Sequence, residues 1–326
     1  MFRATSIGLI IEGENIIFIK KHMQIIEREY RNDEEDFLKI RNLLIESYTI
    51  KKSFFNWGVA RWDIVRYRVQ AKNFISGEKS FLQKHHLWET EEGKLVGATL
   101  TENNDHDVVI IAHPDFQELE DRMFAWAEQL ESHSSKNIKT CVYAQNEKRQ
   151  ELLKKRGYKK HSEAEYMRSF DLSKNVKDIE LPKGFTIRHV YSPIDFENRV
   201  NIYQNVFQSK RFDLEVYKLL RQAPAYQIEN DLVMVSPDGQ FVGFCIVWVD
   251  DTNNFAEIEP FGTHSEFRNM GLGKALLTGV LKRLKARKLD RVYIGSGPEP
   301  ALGNRLYESV GFSDKRKAYW WVKDLQ

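Results

Sequence analysis

The stretch Arg268 to Ala275, R-N-M-G-L-G-K-A, follows a strand-like run at Phe255 to Gly262 and opens an amphipathic run. It reads as an anion cradle. Gly271 and Gly273 let backbone N–H groups turn toward a phosphate with no Cβ in the way, and a helix starting there adds the positive end of its dipole. Arg268 and Lys274 supply compensating charge. A triphosphate loop of the form G-x-x-x-x-G-K-[ST] is excluded, because Arg268 stands where it needs glycine and Ala275 where it needs Ser or Thr. The dinucleotide fingerprint G-x-G-x-x-G fits poorly, since Leu276 holds its third glycine position.

The flanking sequence places the cradle in an α+β unit. Phe185 to Val190 predicts a strand, Asp195 to Phe207 and Leu214 to Arg221 predict helices, and Leu232 to Ser236 and Gln240 to Asp250 predict antiparallel strands joined by an S-P-D-G turn. Gly271 to Arg287 carries Leu272, Leu276, Val280 and Leu284 at a spacing of four, the signature of a helix with one buried face. A short buried strand at Arg291 to Ile294 and a Gly/Pro-rich loop at Gly295 to Gly303 follow. The next helix, Asn304 to Val310, ends at Gly311. On it Asn304 and Tyr307 share a face, so both are expected to point at one ligand.

The pattern R-x-x-G-x-G, with T-H-S-E-F (Thr263 to Phe267) before it and A-L-L (Ala275 to Leu277) after it, resembles the coenzyme loop of the GNAT acetyltransferase superfamily. A second block, N-R-L-Y-E-S-V-G-F at Asn304 to Phe312, resembles that family's closing helix and turn. Gly303 and Arg305 depart from it near a position where alanine is often seen. The resemblance implies a mixed, mostly antiparallel twisted sheet flanked by helices, and a loop that binds the pyrophosphate of acetyl-coenzyme A. The implied contacts are Arg268, Asn269, Met270, Gly271, Leu272, Gly273, Lys274, Asn304 and Tyr307, with backbone N–H groups of Phe261, Gly262 and Thr263 at the thioester carbonyl.

The pattern occurs twice. Glu92 to Leu100, E-G-K-L-V-G-A-T-L, lines up with Asp238 to Ile246, D-G-Q-F-V-G-F-C-I, and H-P-D-F at His113 to Phe116 lines up with H-S-E-F at His264 to Phe267. Leu152 to Tyr158 matches Leu306 to Phe312, with Gly157 opposite Gly311. This predicts two tandem GNAT folds, resembling the mycothiol synthase type: an extension at 1–22, a degenerate unit at 23–172, a linker at 173–184 and a catalytic unit at 185–326. In the first copy Gln117 replaces Arg268, Glu120 replaces Gly271 and Arg122 replaces Gly273, while Gln150 stands for Asn304 and Leu153 for Tyr307. An acidic side chain at the cradle repels a pyrophosphate, so this copy is expected to be silent.

Acetyl transfer to an amine needs a base for the ammonium, a donor for the oxyanion and an acid for the leaving thiolate. Glu257 and Glu259 alternate along the strand before the cradle and are the candidate bases; either would equally serve as a solvated or salt-bridged strand residue. Glu257 matches, in local sequence and spacing, the base of the histone-acetylating branch. Tyr307 is the candidate acid, by the same resemblance, or a packing residue of the cradle helix. His264 reads as structural rather than as a proton relay.

A net charge of +2 over 326 residues gives no case for nucleic-acid or membrane binding, and no apolar run is long enough to span a bilayer. K-R-L-K-A-R-K at Lys282 to Lys288 is read as the solvated face of a helix, with Leu284 inward. Two cysteines, Cys141 and Cys245, form neither a disulfide framework nor a zinc pattern, so no metal is expected and a reducing, cytoplasmic setting is the default. Ile7 to Lys20, interrupted by E-G-E-N, reads as a hairpin, and Met23 opens a strand-like run. The aromatics Phe54, Phe55, Trp57 and Trp62 are either core or the lining of an acceptor pocket. The expected function is transfer of the acetyl group of acetyl-CoA to a primary amine of a small molecule, peptide or protein. The alternatives are a non-catalytic acyl-CoA sensor and a transferase of a longer acyl group.

Overall fold

The computed structural model describes residues 8–12, 15–19, 24–54, 57–299 and 301–325; Gly13, Glu14, Met23 and Phe55 lie outside them. The first half runs β1 (Gly8–Glu12), β2 (Asn15–Ile19), β3 (Ile25–Glu29), α1 (Glu34–Lys51), α2 (Val59–Ile64), a π-helical turn (Val65–Val69), α3 (Ala71–Ser76), α4 (Lys79–Leu82), β4 (His86–Thr90), β5 (Leu95–Leu100), β6 (Val109–Ala112), α5 (Glu120–Ser132), β7 (Asn137–Tyr143), α6 (Glu147–Lys155) and β8 (Lys159–Asp171). The second half runs β9 (Thr186–His189), α7 (Phe196–Phe207), α8 (Leu214–Leu220), β10 (Asp231–Val235), β11 (Phe241–Asp250), β12 (Phe255–Thr263), α9 (Leu272–Ala286), β13 (Arg291–Ser296), α10 (Leu302–Val310) and β14 (Asp314–Asp324). Every strand and helix expected around the cradle is present, because each carries a strong local signal. Asp213 caps α8 by accepting from the Val216 N–H, and Gly311 closes α10 in the left-handed region at φ 113°.

The two copies fold alike where their sequences agree. His113 Nδ1 accepts from the Asp115 N–H at 3.1 Å, and His264 Nδ1 accepts from the Glu266 N–H at 3.3 Å. In both turns the following phenylalanine meets the imidazole edge-on, with centroids 5.6 Å apart. His264 is thereby a turn-former, like its counterpart.

Three sheets form among the described residues: β1–β2, the antiparallel β3-β4-β5-β6, and an eight-stranded sheet ordered β7-β14-β8-β13-β12-β11-β10-β9. In the large sheet β12 and β13 are parallel and the other neighbours antiparallel. The sheet crosses from one half of the chain to the other by an exchange of strands. β8 lies against β13, and its end buries Phe170 among Leu276, Ile294 and Phe312. β14 inserts between β7 and β8 and buries Trp321 among Met123, Phe124 and Tyr158. Each half is completed by the other's last strand. Around these sheets the helices pack on both faces, and burial of large apolar side chains, worth about 1.5–3 kcal/mol each, holds the layers together.

The split that makes the site lies in the middle of the large sheet. β12 pairs with β13 from Phe255–Arg291 to Ile258–Ile294 and no further. Beyond it β12 stays with β11 as far as Thr263, and β13 stays with β8 as far as Ser296. The two strands separate there, leaving the backbone edge of Glu259 to Thr263 without a strand partner on that side.

Candidate active site

A cavity of about 900 Å³ fills the gap between the separated strands and continues to the contact between the two halves. At one end is the cradle. Asn269 (φ 63°) and Gly271 (φ 79°) are both left-handed, the alternation from which backbone nests for anions are built. A Cβ at Gly271 would meet nothing within 4 Å, so the loop faces open space. Gly271 caps α9, and Arg268 and Lys274 line the same cavity. Met270 is exposed and does not line it, which leaves only its backbone for a ligand.

The equivalent loop of the first copy is a different object. Glu120, opposite Gly271, is right-handed at φ −55°, so a 3-10 turn (Gln117–Leu119) runs directly into α5 and no nest forms. Its carboxylate accepts from Arg149 Nε at 2.8 Å and Nη2 at 2.7 Å, with both side chains buried. The first copy places an anion of its own at this position, neutralised from α6. Leu153, opposite Tyr307, is fully buried and offers no hydroxyl.

At the other end Glu257 is buried, and its Oε1 has no hydrogen-bond partner among the described residues. Burial, with the charge of Glu259 added, pushes its pKa up to about 8; the Ala60 N–H, which donates to the carboxylate, and Arg61 act the other way. Ala60 belongs to α2, in the first half of the chain. Gly58 is needed at its start, because a Cβ there would stand 2.2 Å from Glu257 Oε1. Glu259 differs from Glu257 in being ion-paired, with Arg61 and, at 3.2 Å, with Arg68. Arg61 also pairs with Glu102. Tyr307 is buried beside Phe261, lines the cavity, and has its pKa pushed up to about 12 by burial, so the phenol stays protonated across the neutral range.

One expectation needs correction. Asn304 does not share a ligand-facing side with Tyr307. It is fully buried, its Oδ1 accepts from Arg168 at 2.7 Å and Ser296 at 2.6 Å, and its Nδ2 donates to the Gly297 carbonyl at 3.3 Å. A three-residue step on a helix turns by about 300°, enough to separate a cavity face from a core face. The aromatic cluster is also divided: Trp57 lines the cavity, while Trp62 is core with Phe37 and Phe74. Phe54 packs on Tyr48, Phe255 and Tyr293 where the halves meet. Lys282 to Lys288 is exposed except for the inward Leu284.

Arg61, Arg68, Glu102, Tyr143, Glu165 and Tyr203 line the end of the cavity away from the cradle and were not legible in the sequence. They come from the first half of the chain, from β8 and from α7, and carry no local motif. Among the described residues no group of three or more His, Cys, Asp or Glu is placed to hold a metal, and no helix is long and apolar enough to cross a membrane.

Residues 197–312, which contain the cradle, β13 and α10, match the model of the acetyltransferase (GNAT) family. The chain is 34% identical over 76 residues to a mycothiol acetyltransferase of Corynebacterium aurimucosum, covering 23% of this chain and 24% of that protein, about a quarter of its length. The fold is similar to a tandem GNAT protein from the clavulanic acid biosynthesis pathway, with TM-score 0.64 and 12% identity over 93% of this chain and 99% of that one. It is also similar to a GCN5-related N-acetyltransferase from Sphaerobacter thermophilus, with TM-score 0.62 and 18% identity over 93% and 96% of the two chains. Residues 197–312, with the separated strands and the cradle, thus carry the pattern of the acetyltransferase (GNAT) family, and the chain as a whole has the fold of a solved tandem GNAT protein.

Proposed function

We propose that this chain is an N-acetyltransferase that moves the acetyl group of acetyl-CoA to a primary amine of a small molecule or peptide by direct attack. One observation carries the reading: a single cavity joins the open cradle at Gly271 to the buried carboxylate of Glu257, whose Oε1 has no hydrogen-bond partner among the described residues. The open cradle fits a pyrophosphate, with Arg268 and Lys274 as countercharge. Glu257 removes a proton from the ammonium, the amine nitrogen bonds to the thioester carbon, and the backbone N–H groups of Phe261 to Thr263 hold the developing oxyanion. The carbon–sulfur bond breaks, Tyr307 donates a proton to the departing sulfur, and the second proton shed by the nitrogen as the amide forms restores the phenol through solvent. Glu259, anchored by two arginines, orients the wall and keeps the proton affinity of Glu257 high.

The same reading makes 23–172 a degenerate unit, 173–184 a connection and 185–326 the catalytic unit, with residues 1–22 an extension. The degenerate unit supplies the acceptor wall, an assignment supported by Gly58, Arg61 and Tyr143. Incubating the full chain with acetyl-CoA and a panel of primary amines, with release of the coenzyme thiol as readout, tests the proposal. Acceptor-dependent thiol release is expected. Coenzyme binding without release by any amine, peptide or protein substrate would overturn it, and faster release from butyryl-CoA would reassign the acyl group.

A further inference from the structure

Six charged side chains face the acceptor end of the cavity: Arg61, Arg68, Glu102, Glu165, Glu257 and Glu259. Both arginines are committed to carboxylates of the same wall, Arg61 to Glu102 and Glu259, Arg68 to Glu259. Two carboxylates remain without an ion pair among the described residues. Glu257 has a buried oxygen with no partner among them, and Glu165 accepts from the neutral hydroxyl of Tyr143 at 3.0 Å. Each carboxylate holds its proton more tightly than usual, through burial first and with a contribution from the charge of Glu259. Buried carboxylates with no ion pair of their own are complementary to positive charge brought by a ligand, which draws each toward its ionised form.

The strand register relates the two carboxylates. Glu257 pairs with Tyr293 across β12–β13, and Tyr293 pairs with Ser169 across β13–β8. Paired residues share a sheet face, and so do alternate residues of a strand, which puts Ser169, Met167 and Glu165 on the face of Glu257. Two strand spacings of about 4.8 Å and four residues of about 3.3 Å place their Cα atoms about 16 Å apart. With side chains leaning into the cavity and an ammonium about 2.8 Å from each carboxylate, the two bound nitrogens are about 5–10 Å apart. An extended chain of four to six carbons between nitrogens spans about 6–9 Å. Trp57, Tyr143 and Tyr203 line the same cavity, and aromatic side chains suit a cationic alkyl chain.

We infer that the acceptor is a linear diamine of four to six carbons, bound with the reacting nitrogen at Glu257 and its second ammonium at Glu165. This rests on the amine-acetyltransferase reading of the same cavity, so binding and turnover are measured separately. Calorimetry on the full chain loaded with coenzyme A uses 1,4-diaminobutane and 1,6-diaminohexane, the matched butylamine and hexylamine, and 6-aminohexanoate. The diamines are expected to bind at least about tenfold tighter than the monoamines, the scale of one desolvated charge pair. Glu165→Gln, which keeps the shape and the acceptor for Tyr143, is expected to abolish that advantage. Glu165→Asp, charged but shorter, is expected to retain it and shift the preference toward the longer diamine. Equal binding of diamine and monoamine, an advantage that survives in Glu165→Gln, or tightest binding of 6-aminohexanoate through Arg61 and Arg68 would overturn the inference. Diamines that bind through Glu165 but release no thiol would leave the binding site standing and refute the chemistry. Thiol release with equal kcat/KM for monoamines and diamines would do the reverse.

Discussion

The two copies of the fold share the histidine turn and the glycine-closed helix, and differ at a handful of positions around the cradle. In the second copy Gly271 is left-handed and faces open space. In the first, Glu120 is helical and satisfied by Arg149 within the protein. The first copy thus holds a buried ion pair at the equivalent position, which stabilises the fold only while both partners are present.

Importing the first copy's residue into the second makes the largest difference. Gly271→Glu forces a left-handed position on a side chain that resists it and puts a carboxylate in the nest. Calorimetry is expected to show one acetyl-CoA site per chain in the native protein and none in the variant. Two sites in the native protein, or undiminished binding in the variant, would break the contrast between the copies.

Next comes the position where leucine faces tyrosine. Tyr307→Phe is expected to lower kcat by roughly 10²-fold while leaving coenzyme affinity nearly unchanged, because only the hydroxyl is removed. A change of less than a few-fold would return Tyr307 to a packing role like that of Leu153.

Glu257 sharpens the comparison through pH. Its surroundings are Glu259 and Asp250, which favour the protonated form, and Arg61 with the Ala60 N–H, which oppose it. With the folded-state pKa at about 8, kcat/KM is expected to rise between pH 7 and 9, and Glu257→Gln to be about tenfold slower or worse, most severely at low pH. The stability sign is opposite. Between the ordinary value of 4.5 and about 8 the folded chain keeps a proton that the unfolded chain has lost, so this group's contribution falls across that window. Denaturation of Glu257→Gln against the native protein should show the variant gaining relative stability from pH 5 to 9, and a constant difference would mean that the carboxylate is not desolvated.

The smallest effect on binding is expected in the first copy itself. Arg149→Met is expected to cost about 3–5 kcal/mol in urea unfolding, by stranding Glu120, with the acetyl-CoA stoichiometry unchanged. Combining it with Glu120→Leu should restore much of the loss. A second acetyl-CoA site appearing in either variant would show that the first copy is blocked rather than rebuilt.

The sequence by itself determined the cradle, the order of elements in the second half and the duplication. Gly271, the S-P-D-G turn, the spacing of Leu272, Leu276, Val280 and Leu284, and Gly311 act through backbone geometry and periodicity within a few residues. Tertiary structure alone decided three things. Asn304 turned into the core because Arg168, fully buried on β8, needed an acceptor there. β8 and β14 exchanged places between the halves, since strand pairing is set by which hydrophobic faces meet and not by a signal within the strand. The wall opposite the cradle was built from Gly58, Arg61, Tyr143 and Glu165, residues far apart in the chain whose charges acquire meaning only once burial removes the water between them.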